Sequence, residues 1–112
     1  MKLPGGELAV VDLAKLRDYC LNSTHSRGRH KARVFAAALG LTASDAEFLR
    51  GERLRAALED NAVAGQVDEY GARYTIDFSL VRLQRRAVVR STWIVLCDES
   101  FPRLTSCYVL LD

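Results

Sequence analysis

The sequence lacks the features of a membrane protein and of the common nucleotide-binding and hydrolytic enzymes. No apolar run approaches the about 20 residues that a membrane-spanning helix needs. The N-terminal stretch contains no signal-peptide core, because Pro4, two glycines and Glu7 interrupt it. Gly-rich nucleotide loops, a Gly-x-Ser-x-Gly elbow and Cys-x-x-Cys pairs are absent. We therefore expect a cytoplasmic chain, or a domain exported by a route that the sequence does not show.

Cysteine is scarce, and its spacing indicates neither a disulfide framework nor a metal site. The three cysteines are Cys20, Cys97 and Cys107. They are odd in number and have apolar neighbours, so we expect buried, reduced thiols. The acidic residues show no metal-ligand spacing either. The sequence thus predicts no metal and no cofactor.

Charge is nearly balanced overall but unevenly distributed along the chain. Sixteen basic and fourteen acidic residues give a net charge of +2, and the length of 112 residues fits a single domain over 1–112. Two long windows contain no acid, one from Cys20 to Ser44 and one from Phe78 to Cys97. The distribution predicts either one basic face built from both windows or two separate solvated surfaces.

The first acid-free window contains a stretch, Ser23 to Gly40, that joins a polar loop to an amphipathic helix. Both histidines, His25 and His30, lie in its first half. The apolar residues of its second half recur at helical spacing, and they are Ala32, Phe35, Ala36 and Leu39. Gly40 predicts the helix end, since glycine adopts the left-handed conformation without a Cβ penalty. Backbone N–H groups and the dipole at the helix start favour an anion, so we expect the loop to meet a phosphate.

The remaining periodicity predicts helices first and strands afterwards. Asp12 caps a first helix over 13–21. Thr42 and Ser44 both offer caps to a third helix that runs to about residue 61, and residues 44–47 fit a capping box. The inward residues of that helix are Ala46, Leu49, Ala57 and Leu58. Alternation replaces the helical period after Gly65, and the chain ends with strands over 87–97 and 104–110. We expect an α+β domain whose N-terminal helices pack on one face of an antiparallel sheet of three to four strands.

The strand over 87–97 has two faces of different character. Val89, Trp93 and Val95 share one face, whereas Thr92 lies on the other. The aliphatic residues predict that the Trp93 face packs against the helices. A register error of one residue would instead place Thr92 beneath them.

Four segments resemble a known family: THSRGRHKARVFAAALG, EYGARYTIDFSL, VVRSTWIVL and PRLTSCY. The resemblance covers nearly the whole chain and is to a bacterial domain family of unknown function, found alone and at the C-terminal ends of polymorphic toxins. The layout of that family is similar to the metal-independent ribonuclease fold of barnase, EndoU, colicin and RelE-type toxins. The chain departs from the family pattern at Ser26, where proline is usual, and at Ser91, where threonine is usual.

The resemblance implies a site that cleaves RNA without a metal. Such cleavage needs a base for the 2′-OH proton, a cation for the developing negative charge and an acid for the leaving oxygen. The predicted catalytic residues are His25, Lys31, Arg90 and Ser91. The predicted substrate-binding residues are Arg29, Arg103 and Thr105. Histidine changes protonation near neutral pH, which suits proton transfer, and the ammonium of Lys31 suits the cation. RNA is the expected partner, together with an immunity or antitoxin protein.

The same residues also fit a domain without catalysis. Arg90 lies in mid-strand. It either prevents edge-to-edge pairing of the sheet or forms bidentate hydrogen bonds to a phosphate on an open sheet face. A basic-faced α+β domain can bind nucleic acid or a protein without turnover, and fold similarity alone does not establish an activity. A degenerate toxin domain would fit the changed threonine pattern. Alanine substitution at His25 and Lys31, assayed for RNA cleavage, separates the enzyme from the binding module.

Overall fold

Residues 1–111 form three α-helices and a four-stranded sheet. The structure is a computed structural model that describes these residues. The helices are α1 (Leu13–Lys15), which a π-helical segment (Leu16–Cys20) continues, α2 (Arg29–Leu39) and α3 (Ala46–Glu59). The strands are β1 (Val63–Val67), β2 (Gly71–Arg82), β3 (Arg85–Leu96) and β4 (Arg103–Val109). Within 1–111, no helix has the length and apolar character needed to cross a membrane.

The sheet is an antiparallel meander in the order β1-β2-β3-β4. β2 pairs with β3 from Gly71 opposite Leu96 to Arg82 opposite Arg85. β4 pairs with the other side of β3, and the register of this pairing shifts between Thr92 and Trp93. Because α2 packs against β3 and β4 and α3 packs against β2, the helices cover one face of the sheet. The predicted α+β fold and the inner position of β3 are confirmed.

The two faces of β3 are oriented as the sequence predicts. Val89 and Trp93 are completely buried, whereas Thr92 on the opposite face is half-buried. Trp93 Nε1 donates to Ser91 Oγ at 2.9 Å, and Ser91 Oγ donates to the Ile76 carbonyl at 3.1 Å. The polar groups on this buried face therefore satisfy one another, which removes the cost of burying them.

The second helix, α2, forms where the apolar period predicts it. Ala32, Phe35 and Leu39 are its buried residues. Gly40 ends the helix with φ 69°, and its N–H donates to the Ala36 carbonyl at 2.9 Å. This bond pairs one of the carbonyls that a helix end would leave free.

The third helix, α3, begins and packs differently from the prediction. Thr42 and Asp45 form the capping box, not residues 44–47, because a 3₁₀ turn (Ala43–Asp45) precedes the α-helix. Leu58 was predicted to point inward but is 53% exposed. The predicted Asp12 cap of α1 is present, since its carboxylate accepts the Ala14 N–H at 2.9 Å.

Arg53 is a charged residue at a buried position of α3, and the sequence pattern predicts no charged residue on the inward side of this helix. Its side chain is completely buried, and its guanidinium carbon lies 3.6 Å from the Phe78 ring centroid. In the described part of the chain its three guanidinium nitrogens have no hydrogen-bond partner, and neither has the buried Asp60 Oδ2. Burial lowers the pKa of Arg53. An uncompensated cation in the core costs free energy of folding.

The first strand and the N-terminal segment are the elements that the sequence does not predict. All five residues of β1 are exposed, so no alternation of burial marks the strand. The N-terminal segment looks extended in sequence, but it is anchored at two points. Lys2 bridges Asn61 next to β1, and Val10 bridges Arg103 at the start of β4. Residues 1–11 therefore connect the two edges of the sheet.

The prediction of three buried thiols is wrong for one of them. All three cysteines are free, and Cys20 and Cys107 are buried. Cys97 is exposed, because β3 ends at Leu96 and the next residue already lies in the connection to β4. Burial raises the pKa of Cys20 and raises that of Cys107 to about 12.

Thiol reactivity should therefore divide the cysteines into one fast and two slow groups. We expect one equivalent of native protein thiol, Cys97, to react rapidly with a disulfide reagent at pH 8. Cys107 should react only on unfolding, because a pKa near 12 leaves on the order of one thiolate in 10⁴ molecules at that pH. Titration before and after denaturant, with Cys97→Ser as control, measures this. Two fast thiols in the Cys97→Ser variant would contradict it.

Candidate functional site

Lys31 reaches from α2 to β4, the edge strand of the sheet. Its Nζ donates to Ser106 Oγ at 3.3 Å and lies 4.8 Å from the Tyr108 ring centroid. The ion pairs formed within residues 1–111 do not include Lys31. A hydroxyl and an aromatic face hold the ammonium, and no carboxylate of residues 1–111 forms an ion pair with it.

Lys31 lines a surface depression of about 530 Å³, which we call the lysine pocket. The lining residues are Lys15, Tyr19, Lys31, Thr105 and Ser106. Lys15 Nζ donates to the Thr105 carbonyl at 3.4 Å, and the ion pairs of the described residues do not include Lys15 either. Two ammonium groups and two hydroxyls in one depression suit an anion with several acceptor oxygens.

A bulge in β4 brings Thr105 to the pocket. Thr92 pairs with Ser106 while Trp93 pairs with Leu104, so Thr105 has no partner of its own on β3. Its Oγ1 lies 2.7 Å from Thr92 Oγ1. Strict alternation would turn consecutive strand residues to opposite faces, and the bulge lets Thr105 and Ser106 line the same pocket.

His25 lies behind one wall of the lysine pocket. Its ring meets that of Tyr19 edge to face, with centroids 4.7 Å apart. His25 Nδ1 accepts the backbone N–H groups of Arg27 at 3.0 Å and Gly28 at 3.1 Å. A nitrogen that accepts two hydrogen bonds carries no proton, so the neutral ring has its proton on Nε2. The loop thus fixes His25 as a ring with an Nε2–H donor.

The loop that contains His25 packs tightly on the segment before it. A Cβ at Gly28 would stand 2.2 Å from the Tyr19 carbonyl oxygen, so only glycine fits there. Arg29, a predicted substrate-binding residue, donates from its guanidinium to the Ser26 carbonyl. The structure places Arg29 in the hydrogen bonding of the loop and outside the lining of the lysine pocket.

Arg90 projects from β3 and is already paired. Its Nε and one terminal nitrogen donate to the two Asp77 carboxylate oxygens at 2.8 and 2.9 Å. The hydrogen bonds to Asp77 and, to a smaller extent, the neighbouring Tyr108 raise the pKa of Arg90. Tyr108 thus lies beside both Arg90, its partner in the strand register, and Lys31. The two acid-free windows also meet directly where Arg85 donates to the Ala36 and Ala37 carbonyls at 3.3 and 3.4 Å.

Two other predicted site residues lie away from the lysine pocket. Ser91 is completely buried on the helix-facing side of β3, bonded to Ile76 and Trp93. Arg103 donates to both carboxylate oxygens of Glu99, at 2.8 and 2.7 Å. The structure therefore brings Lys31 and Thr105 into one pocket, places His25 behind Tyr19 on its wall and Arg90 beside Tyr108, and separates Ser91, Arg103 and Arg29.

Four residues at the site escape sequence prediction: Lys15, Tyr19, Ser106 and Tyr108. Ser106 and Tyr108 face the same side as Arg90 only in the observed register, with Tyr108 opposite Arg90. Lys15 and Tyr19 lie four residues apart, and i,i+4 spacing on a helix is the one signal that links them. Among residues 1–111, no group of three His, Cys, Asp or Glu side chains is placed to hold a metal ion.

Comparison with known proteins assigns the family and supports the fold. The chain belongs to the family described as "Domain of unknown function (DUF6883)", which matches residues 2–111. It is similar to one chain of the "Contact-dependent growth inhibition toxin - immunity protein complex from Klebsiella pneumoniae 342". The TM-score is 0.69 and the identity 21%, over 90% of this chain and 99% of that chain, which establishes a shared fold. No curated protein matches. The predicted membership of a family of unknown function is confirmed.

Proposed function

We propose that the chain is a toxin-type domain that binds RNA phosphates in the lysine pocket and cleaves the RNA backbone without a metal. The observation that carries the proposal is Lys31, whose ammonium is positioned by Ser106 and Tyr108 but has no carboxylate partner in the described chain. Lys15 adds a second such cation. A phosphate oxygen is the acceptor that both groups need.

The similarity to a chain of a growth-inhibition toxin–immunity complex supports a toxin-related or immunity-like module, and the cationic lysine pocket favours the toxin of the two. A toxin of this type needs a protein that blocks it in the cell that makes it. An immunity or antitoxin protein is therefore the proposed protein partner.

The proposed mechanism divides the work among a few side chains. Water takes the proton of the attacking 2′-OH and protonates the departing 5′-oxygen, while Lys31 stabilises the negative charge that develops on the phosphoryl oxygens. The hydroxyls of Thr105 and Ser106 donate hydrogen bonds to the non-bridging phosphate oxygens, both in the bound substrate and in the transition state. We assign His25, which lies behind Tyr19 and outside the pocket lining, a hydrogen bond from Nε2–H to an RNA oxygen that gains charge beyond the Tyr19 wall, because its Nδ1 is committed to the loop. Arg90, on the neighbouring strand β3, adds positive charge near the bound phosphate.

Lys31→Ala tests the proposal directly. We expect RNA affinity to fall about tenfold or more, since a charged hydrogen bond is lost, and the salt dependence of binding to drop by about one counterion. Cleavage of total RNA should fall at least about 100-fold. Binding titrations at several salt concentrations and a gel assay of RNA cleavage measure both effects.

Arg33→Ala is the matched control for Lys31→Ala. Arg33 is an exposed cation two residues along the same helix and is not part of the lysine pocket. It should change affinity little and cleavage not at all. Salt-independent binding, or equal losses in both variants, would refute the pocket. RNA binding that depends on Lys31, without cleavage by the parent, would identify the alternative, a non-catalytic nucleic-acid-binding module.

A further inference from the structure

The sheet face opposite the helices carries a second polar depression, two strands away from the lysine pocket. The register aligns Tyr108, Arg90 and Asp77 in one row across β4, β3 and β2. A depression of about 360 Å³ lies at the β2 end of this row. Its lining residues are Asn61, Val63, Thr75, Asp77 and Arg90, and we call it the Asp77 pocket.

We propose that the Asp77 pocket receives the base of a nucleotide whose phosphate lies in the lysine pocket, and that it selects bases with an amino group. This inference rests on the proposed function and gives that function a substrate preference. Neighbouring strands lie about 4.8 Å apart, so Asp77 stands about 10 Å from Tyr108 along the row, and the centroid of the Tyr108 ring, which borders the lysine pocket, lies 4.8 Å from Lys31 Nζ. A nucleotide spans a distance of this order between its phosphate and the far edge of its base.

The chemistry of Asp77 points to a base and away from a phosphate. A carboxylate next to a surface that binds RNA phosphates repels them, so phosphate binding does not explain why Asp77 is there. Each Asp77 oxygen accepts one bond from Arg90 and retains further lone-pair capacity. Carboxylates accept hydrogen bonds from exocyclic amino groups of bases. Cytosine, adenine and guanine carry such a group, and uracil does not.

Other features of the pocket agree with this use. The hydrogen bonds from Arg90 lower the pKa of Asp77, so the carboxylate remains an acceptor over the whole neutral range. Val63 offers an apolar surface to a base, and the Asn61 amide offers both a donor and an acceptor. The Asp77 and Arg90 side chains are each 38% exposed, and ion pairs that open to solvent contribute little stability. Folding stability alone therefore does not account for the pair.

Asp77→Asn tests the inference with hexaribonucleotides that differ in a single central base. The parent should bind the cytosine, adenine or guanine oligomer about 5- to 100-fold more tightly than the uracil oligomer, the range of one good base contact. Asparagine keeps the size of the side chain but replaces one acceptor oxygen by a donor. The variant should lose the preference while retaining the salt dependence of binding. Glu99→Gln, which changes another arginine-paired carboxylate outside the pocket, should keep it.

The outcomes separate the base pocket from the phosphate site. A parent without base preference, or an Asp77→Asn variant that keeps the parent's preference, overturns the base pocket. If Lys31→Ala still weakens binding in either case, the proposed function stands without it. If Lys31→Ala leaves the binding of every oligomer unchanged, the lysine pocket and the inference built on it both fail.

Discussion

His25→Asn is expected to lower RNA cleavage about 100- to 1,000-fold while leaving the fold and RNA affinity intact, as the loss of one transition-state donor does. The asparagine oxygen can accept the backbone N–H groups of Arg27 and Gly28, since asparagine bonds in this way to residues that follow it in turns. The loop keeps its shape, but the shorter side chain no longer places a donor where Nε2 stood. Single-turnover cleavage and equilibrium binding of the same RNA measure the two effects separately.

Two further variants complete the test of His25. His25→Ala removes the acceptor as well as the donor, and the two freed N–H groups should cost about 1 kcal/mol of stability each. His30→Asn changes the exposed histidine of the same stretch and should cleave as the parent does. If His25→Asn cleaves RNA as fast as the parent, His25 only shapes the loop, and its role as a transition-state hydrogen-bond donor is withdrawn.

Arg53→Met is expected to raise the free energy of unfolding by about 1–3 kcal/mol, as replacing buried charge by apolar side chains often does. The guanidinium is completely buried without a hydrogen-bond partner in the described chain. Its stacking on Phe78 contributes on the order of 2 kcal/mol, less than the several kcal/mol that burying an ion costs. Methionine retains most of the apolar stem and adapts to the space left by the guanidinium. Urea unfolding at neutral pH provides the measurement.

Arg55→Met is the control for this change, because the same substitution falls on the exposed side of the same helix. Arg55 pairs with Glu52 and Glu59 at 3.2 Å, and surface pairs of this kind contribute less than about 1 kcal/mol. The variant should therefore lose a few tenths of a kcal/mol. A loss of stability in Arg53→Met would show that the buried guanidinium is satisfied, with the unpartnered Asp60 oxygen as the nearest explanation.

Local pattern predicts the elements whose burial is regular. The period of Ala32, Phe35 and Leu39 places α2, and its glycine stop is where the sequence indicates. Trp93 orients β3 because one face of that strand is aliphatic and the other is not. β1 could not be predicted, since exposure of all its residues leaves no periodic signal. Arg53 could not be either, because charge in a helix is expected to face water.

The candidate site depends on contacts that sequence spacing does not reveal. Lys31 and Thr105 were predicted site residues, but their meeting depends on how α2 docks against β4. The pairing of Arg90 with Asp77 follows from the register of β2 and β3, which local alternation leaves open. The irregularity that exposes Thr105 to the pocket has no signature in the sequence. The types of the side chains were enough to predict candidate site residues, but which of them lie close together depends on the tertiary structure.

The lysine pocket is formed by residues that are far apart in the sequence and are therefore synthesised at different times. The bonds of Lys31 to Ser106 and of Lys15 to Thr105 span 75 and 90 residues. On the ribosome the helices emerge first, and contacts of such long range form after local ones. The pocket is completed only when β4 has left the ribosome and paired with β3. A nascent chain from which β4 has not yet emerged therefore carries both lysines but no assembled anion site.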